Sequence, residues 1–205
     1  GLGLENLGVE LDDSGLPPVD ETTMQIPGVP VFIAGDANGM RPLLHEAADE
    51  GRIAGHNAVA ADPDCFRKRC PLAIVFSDPD IALAGRTHAQ LTGEGIDFAT
   101  GSKDFAKQGR ALLMGENEGR VNVYAGKEDG RLLGAELVAP AGEHLAHQLA
   151  WMVAAEMTAA DVLAMPFYHP TLEEGLRSAF REAAKQSVAP KPKFEMERCR
   201  DFLIE

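Results

Sequence analysis

Two short segments hold residue types arranged for chemistry. In Tyr168-His169-Pro170-Thr171-Leu172-Glu173-Glu174-Gly175-Leu176 a histidine precedes a proline, which holds it out of the α region, and a helix is expected just after it. The imidazole is then presented at a helix entrance in a fixed direction, as suits a general base. Glu174 comes close after one turn and can accept the proton of one imidazole nitrogen, leaving the other for a substrate. That pairing selects a tautomer, stabilises the imidazolium and raises the basicity of the ring. The same residues also fit a local task. Thr171 with Glu174 matches the S/T-x-x-E capping box, which would make Glu174 a helix cap and His169 a structural residue.

The second segment is the apolar run Val29-Pro30-Val31-Phe32-Ile33-Ala34, which ends in Gly35-Asp36. It reads as a strand buried on both faces of a parallel sheet. A carboxylate at the C-terminal end of such a strand is well placed to hold a cofactor hydroxyl, and Gly35 lets the backbone approach closely. The following helix, over residues 43–61, is rich in Ala and Gly. Its start at Leu43-Leu44-His45 offers unpaired N–H groups and a positive dipole end to an electron-rich cofactor edge. The plainer alternative is that Asp36 caps a loop.

Cys65 and Cys70 flank Phe66-Arg67-Lys68-Arg69, whose cations favour thiolate and hence incidental oxidation. With Cys199 they make three cysteines, too few and too oddly numbered for a secreted disulfide framework. A zinc site from these and a histidine lacks a second tight ligand pair.

The elements that must position these residues fall into an α/β part and an α+β part. The chain has 205 residues and a net charge of −13, a balance that repels phosphate backbones and anionic lipid. No run approaches the ~20 apolar residues of a membrane helix and no signal-peptide pattern opens the chain, so the expected setting is the reducing cytoplasm. The opening Gly1-Leu2-Gly3, without Met, suggests a domain cut from a longer protein. Residues 1–28 read as short strands joined by tight turns, and the basic, Pro-ended segment at 65–71 as a domain boundary. Strands are expected at Leu72–Phe76 and Ile81–Ala84, with a hairpin from Val121-Asn122-Val123-Tyr124 through Glu128-Asp129-Gly130 into Leu132–Val138. Residues 143–157 carry Leu145, Leu149, Met152 and Val153 on one helical stripe, and Thr158 with Asp161 caps a further short helix. The expected organisation is 1–70, 71–185 and a tail at 186–205, whose Phe202-Leu203-Ile204 docks somewhere.

Val31-Phe32-Ile33-Ala34-Gly35-Asp36 and the helix His45-Glu46-Ala47-Ala48-Asp49-Glu50-Gly51 resemble the second FAD fingerprint of the pyridine nucleotide–disulfide oxidoreductases. His169-Pro170-Thr171-x-x-Glu174 resembles the C-terminal catalytic motif of the same family, in the same order and at a similar separation. Phe105, Gly109-Arg110-Ala111, the Gly130–Val138 strand and Ala141-Gly142-Glu143 are similar to its interface domain. Within the family the chain most resembles the dihydrolipoamide dehydrogenases. The resemblance implies an α/β fragment of an FAD-binding Rossmann-like domain followed by an α+β interface domain. It implies that Gly35, Asp36 and the backbone of Leu43, Leu44 and His45 serve FAD. His169 would be the acid/base for a dithiol and Glu174 its orienting partner, with His169 reaching into the active site of a second subunit of a homodimer built by residues 71–185. The implied reaction oxidises dihydrolipoamide on the lipoyl-bearing protein of a 2-oxo acid dehydrogenase complex, with NAD+ as acceptor. Glutathione- or mercuric-reductase-like chemistry, and a non-enzymatic dimerisation module, are the alternatives.

Tyr168 and Glu173 depart from the family pattern, in which both positions are commonly small. The family's G-x-G-x-x-G loop, redox cysteine pair and nicotinamide domain lie upstream of the matched part, so this chain alone is expected to be inactive and to bind FAD weakly or not at all. Cys65 and Cys70 share the C-x4-C spacing of the redox pair, but sit in an Arg-rich linker rather than a Gly-rich helix opening.

Overall fold

In the computed structural model, which describes residues 3–189, the chain divides into two compact units, Gly1–Arg69 and Cys70–Glu205. Cys199 and the Phe202-Leu203-Ile204 segment lie outside the described residues.

Alternating small and branched residues build the second unit around one antiparallel sheet. Its strands are β1 (Leu72–Val75), β2 (Asp80–Gly85), β3 (Phe98–Asp104), β4 (Arg120–Gly126) and β5 (Leu132–Ala139), in spatial order β1-β2-β5-β4-β3. Registers such as Ala82↔Leu137, Val123↔Ala135 and Gly101↔Val123 put Ala82, Ala84, Ala99, Val121, Val123, Ala135 and Leu137 on one face. That face is buried, because two helices lie on it. These are α4 (Gly142–Ala154), which packs on β1, β2 and β5, and α6 (Glu174–Gln186), which packs on β3 and β4. In α6 the buried Leu176, Ala179, Phe180, Ala183 and Ala184 recur at i, i+3, i+4, i+7 and i+8, the stripe of a helix laid on a core. The other face carries Ile81 and Val138, paired in register and exposed, with Val75 beside them.

The expected strands and hairpin form, with bounds that shift by a residue or two. The helix read over 143–157 ends at Ala154, where the chain turns through Glu156 at φ 55°. Thr158 and Asp161 close a capping box at the start of α5 (Ala159–Ala164). Beyond the expectation are β3 and two short helices, α2 (His88–Gly93) and α3 (Gly109–Met114). The segment assigned to the tail begins inside α6 and stays docked through Ala189: the Ser187 hydroxyl and the Val188 N–H both donate to the Lys127 carbonyl, at 2.9 and 2.8 Å.

The first unit contains α1 (Leu44–Asn57) and no strand among its described residues. The run at 29–34 was expected to be a buried strand. It forms instead a tight loop-back, with one antiparallel bridge between Gln25 and Phe32 and hydrogen bonds from Ile26 N–H to the Val31 carbonyl and from Ile33 N–H to the Met24 carbonyl. Val31 to Ala34 are only half-buried. A parallel strand needs a neighbouring strand that runs the same way, and the backbone paired with this run is the preceding, antiparallel Met24–Ile26. Residues 4–7, read as part of a short strand, form a single 3-10 turn between Gly3 and Gly8, both left-handed. The helix expected over 43–61 is realised as Leu44–Asn57.

The α6–β3 contact depends on Gly101 having no side chain. A β-carbon there would fall onto the Ala179 carbonyl oxygen and crowd the Ala183 amide. Gly101→Ala is expected to destabilise the second unit by about 1–3 kcal/mol in denaturant unfolding, through forced separation of helix and sheet.

Candidate active site

The His169 loop is held from below. Leu172 is buried, Gly175 lies where a β-carbon would meet the Phe105 ring at 3.2 Å, and Gln108 Nε2 donates to the Thr171 carbonyl at 2.6 Å. Gln108 is itself buried, and its Oε1 accepts the Ala111 N–H at the start of α3. The loop backbone is therefore fixed while its outer side stays open: the side chain of His169 is 79% exposed.

His169 Nδ1 lies 3.1 and 2.9 Å from the two carboxylate oxygens of Glu174. A carboxylate only accepts, so Nδ1 carries the proton and Nε2 holds the lone pair. Nε2 has no hydrogen-bond partner among the described residues. The helix-cap alternative is only half met. The Thr171 hydroxyl donates to the Tyr168 carbonyl at 2.8 Å rather than accepting from Glu174, and only a long contact of 3.4 Å runs from Thr171 N–H to Glu174. α6 starts at Glu174, with Glu173 as its N-cap and no side-chain cap bond. The carboxylate of Glu174 is thus engaged chiefly by the imidazole. Glu173, one of the departures, accepts from Gln148 Nε2 of α4 at 3.3 Å, and Tyr168 is 82% exposed beside the histidine.

In the first unit, Gly35 adopts φ 71° and sits against Ala47 of α1, where a β-carbon would lie 3.2 Å from that of Ala47. Both the left-handed backbone and the close approach call for glycine. Its N–H is taken by the Glu50 carboxylate at 2.8 Å, so it is not available to a ligand. Asp36 follows, itself exposed, in the 3-10 turn Gly35–Asn38, and its carboxylate makes no hydrogen bond among the described residues. Leu43 is the N-cap of α1 without a side-chain cap, and its own N–H donates to the Arg41 carbonyl at 2.8 Å. The N–H groups of Leu44, His45 and Glu46 have no intrahelical acceptor, and Leu44 is 88% exposed.

Sequence reasoning missed the group that ties this turn down. Glu50 has a fully buried side chain, which accepts from Gly35 N–H, from Asn38 Nδ2 at 2.7 Å and from Lys68 Nζ at 2.6 Å. Lys68 also faces Glu46 at 3.8 Å, and Glu46 pairs with Arg41 at 3.2 Å. Burial pushes the Glu50 carboxyl up, but the hydrogen bonds from Lys68, Gly35 and Asn38 and the Lys68 charge outweigh it, so the group lies below its ordinary value of 4.5. The spacing Glu46, Glu50, Ile53, Asn57 along one helix face was the available signal, since all four are buried.

Cys65 is a free thiol. Cys65 is exposed, and Cys70 Sγ donates to the Pro71 carbonyl at 3.6 Å. Among the described residues no group of three or more His, Cys, Asp or Glu could hold a metal ion, and no helix is long and apolar enough to cross a membrane.

Residues 72–180 match the dimerisation domain of the pyridine nucleotide-disulphide oxidoreductases, over more than half of the chain. The chain belongs to that family. Among its relatives, the dihydrolipoyl dehydrogenase of Bacillus subtilis is 34% identical over 174 residues, 84% of this chain and 36% of the relative. The mitochondrial dihydrolipoyl dehydrogenase of Rattus norvegicus is 33% identical over 195 residues, 93% of this chain and 36% of the relative. The crystal structure of LpdA from Mycobacterium tuberculosis superposes with a TM-score of 0.74 at 27% identity, over 88% of this chain and 39% of that one. RclA of Escherichia coli, an HOCl-induced flavoprotein disulfide reductase, shares the fold, with a TM-score of 0.72 at 21% identity over 88% of this chain and 41% of that one. The chain spans little more than a third of the length of these curated relatives.

The residues of the first unit have groups that fit a flavin dinucleotide. An exposed carboxylate with no competing donor can accept from a sugar-alcohol hydroxyl, and three open N–H groups beside the exposed Leu44 suit the carbonyl-bearing edge of an aromatic ring.

The lowered Glu50 carboxyl makes the first unit acid-sensitive. A depressed folded-state value contributes stability that is present above the ordinary value and lost as pH falls through the lower one. Between about pH 6 and pH 3 the wild-type chain is expected to lose more thermal stability than Glu50→Gln, in which that titration is absent.

Proposed function

We propose that this chain acts as the C-terminal portion of a flavin-dependent dihydrolipoamide dehydrogenase, supplying an acid/base pair and a homodimer surface. The observation that carries the reading is the His169–Glu174 pair: an exposed imidazole, protonated at Nδ1 by its contact with a carboxylate, with Nε2 open to solvent. Such a group removes a proton from a dithiol near neutral pH.

In this reading Nε2 of His169 takes the proton of a dihydrolipoamide thiol as its sulfur becomes a nucleophile. The Glu174 carboxylate stabilises the imidazolium that forms and keeps the ring from turning. Tyr168, exposed beside the imidazole, narrows the approach to it. Asp36 would hold a hydroxyl of FAD, and the start of α1 at Leu43, Leu44 and His45 would face its ring. Bound FAD supplies a two-electron acceptor between the dithiol and NAD+. The lipoyl group arrives on a carrier protein of a 2-oxo acid dehydrogenase complex. The exposed free thiol of Cys65 is in keeping with a cytoplasmic setting.

The homodimer forms through residues 71–185. Its support is the match to a dimerisation domain and the uncovered sheet face, where Val75, Ile81 and Val138 are exposed.

Two measurements test these statements. In the full-length protein loaded with FAD, His169→Ala is expected to lower dihydrolipoamide:NAD+ turnover by about 10²–10⁴. Equal activity of wild type and mutant would remove His169 from the chemistry, and an inactive wild type that reduces another disulfide would replace the substrate. In sedimentation velocity the full-length protein is expected to run as a dimer, and Val138→Glu to shift it toward monomer; a wild-type monomer would contradict the interface.

A further inference from the structure

The carboxylate of Asp36 has no hydrogen bond of its own among the described residues, so the restraint on where it can reach comes from the backbone of the Gly35–Asn38 turn, which sets where its Cα–Cβ bond points. That turn is bracketed by one buried group. Glu50 Oε2 accepts from Gly35, just before Asp36, and from the Asn38 side chain, two residues after it. Asn38 Oδ1 in turn accepts the Met40 N–H at 2.9 Å, which carries the restraint onward to the loop that leads to α1.

A fully buried carboxylate is an expensive way to pack a helix, since an apolar residue of similar volume would serve packing alone as well or better. Here both oxygens are used, Oε2 on the turn and Oε1 on Lys68. We infer that Glu50, held ionised by Lys68, is a positioning residue that fixes the Gly35–Asn38 turn and so presents the Asp36 carboxylate in the direction a flavin hydroxyl requires. The inference deepens the proposed cofactor reading and rests on it for the identity of the ligand, while the restraint on the turn stands apart from any ligand.

Lys68 comes from the linker after α1, and its side chain is only 15% exposed. It spans Glu50 and Glu46, and Glu46 holds Arg41 near the far end of the same loop. One cation therefore secures both ends of the segment that bears Asp36.

The test has two arms. In the 205-residue chain, amide hydrogen exchange is read at Gly35 and Asn38 and along α1. Glu50→Gln is expected to speed exchange at the turn about tenfold, the loss of a charge-assisted hydrogen bond, while α1 keeps its protection. Lys68→Met is expected to do the same and Lys68→Arg to restore the wild-type rate. A merely structural role would instead speed α1 and the turn together, and that result overturns the inference, as does an unchanged turn in both Glu50→Gln and Lys68→Met.

In the second arm, FAD release from the loaded full-length protein is followed by flavin fluorescence. Glu50→Gln and Asp36→Asn are each expected to speed release about tenfold, and the double variant to release no faster than Asp36→Asn alone, because both act through one carboxylate. Release that responds to Asp36→Asn but not to Glu50→Gln overturns the positioning role and leaves the flavin reading intact. Release that ignores Asp36→Asn overturns the flavin reading and with it the purpose assigned to the turn.

Discussion

An imidazole on an exposed loop has no fixed direction until a partner holds one of its nitrogens, and here the partner is a carboxylate on the first residue of a docked helix. The 2.9 Å contact from His169 Nδ1 to Glu174 favours the Nδ1-protonated tautomer of the neutral ring and holds the ring in place. Glu174 can do this because α6 is seated on β3 and β4 along its buried stripe, Leu176, Ala179, Phe180, Ala183 and Ala184. The seat in turn requires Gly101, where the helix backbone comes too close for any side chain. Helix, glycine and carboxylate form one chain of cause, and the orientation of the imidazole at its end depends on each link.

The first unit solves a parallel problem with a different device. Its exposed acid, Asp36, is aimed by a turn, and the turn is held by a buried acid that has traded water for two N–H donors and a lysine. Burying a charge is tolerated only when it is fully paired, which is why Glu50, Asn38 and Lys68 occur together. In both units, then, a carboxylate holds another polar group's surroundings in place: Glu174 the imidazole of His169, Glu50 the turn that bears Asp36.

Much of the second unit was legible in the sequence because its signals are local. Alternation marked β1, β2, β4 and β5, and the Thr158–Asp161 capping box marked α5. β3 escaped because Gly101, Ser102, Lys103 and Asp104 are poor strand formers, placed there by the demands of α6 rather than by their own preference. The run at 29–34 misled for the opposite reason: its apolar residues carry strong strand character, but a parallel strand exists only with neighbours, and only an antiparallel bridge to Gln25 is present. The His169–Glu174 pair could be named from spacing, though spacing could not choose between orienting carboxylate and helix cap. In the structure the Thr171 hydroxyl turns to the Tyr168 carbonyl, and the Glu174 carboxylate contacts the imidazole. Glu50 and Lys68 were invisible as a pair, being eighteen residues apart and joined only by the path of the linker.

Which nitrogen of His169 carries the proton decides whether its Nε2 can take one from a thiol. Nitrogen-15 NMR of the chain at a pH where the ring is neutral reads this directly, comparing wild type with Glu174→Ala. The structure requires the Nδ1-protonated tautomer to dominate in wild type and to lose that dominance when the carboxylate is removed. An Nε2-protonated ring in wild type, or a tautomer indifferent to Glu174, would leave His169 without the lone pair that the proposed proton transfer needs.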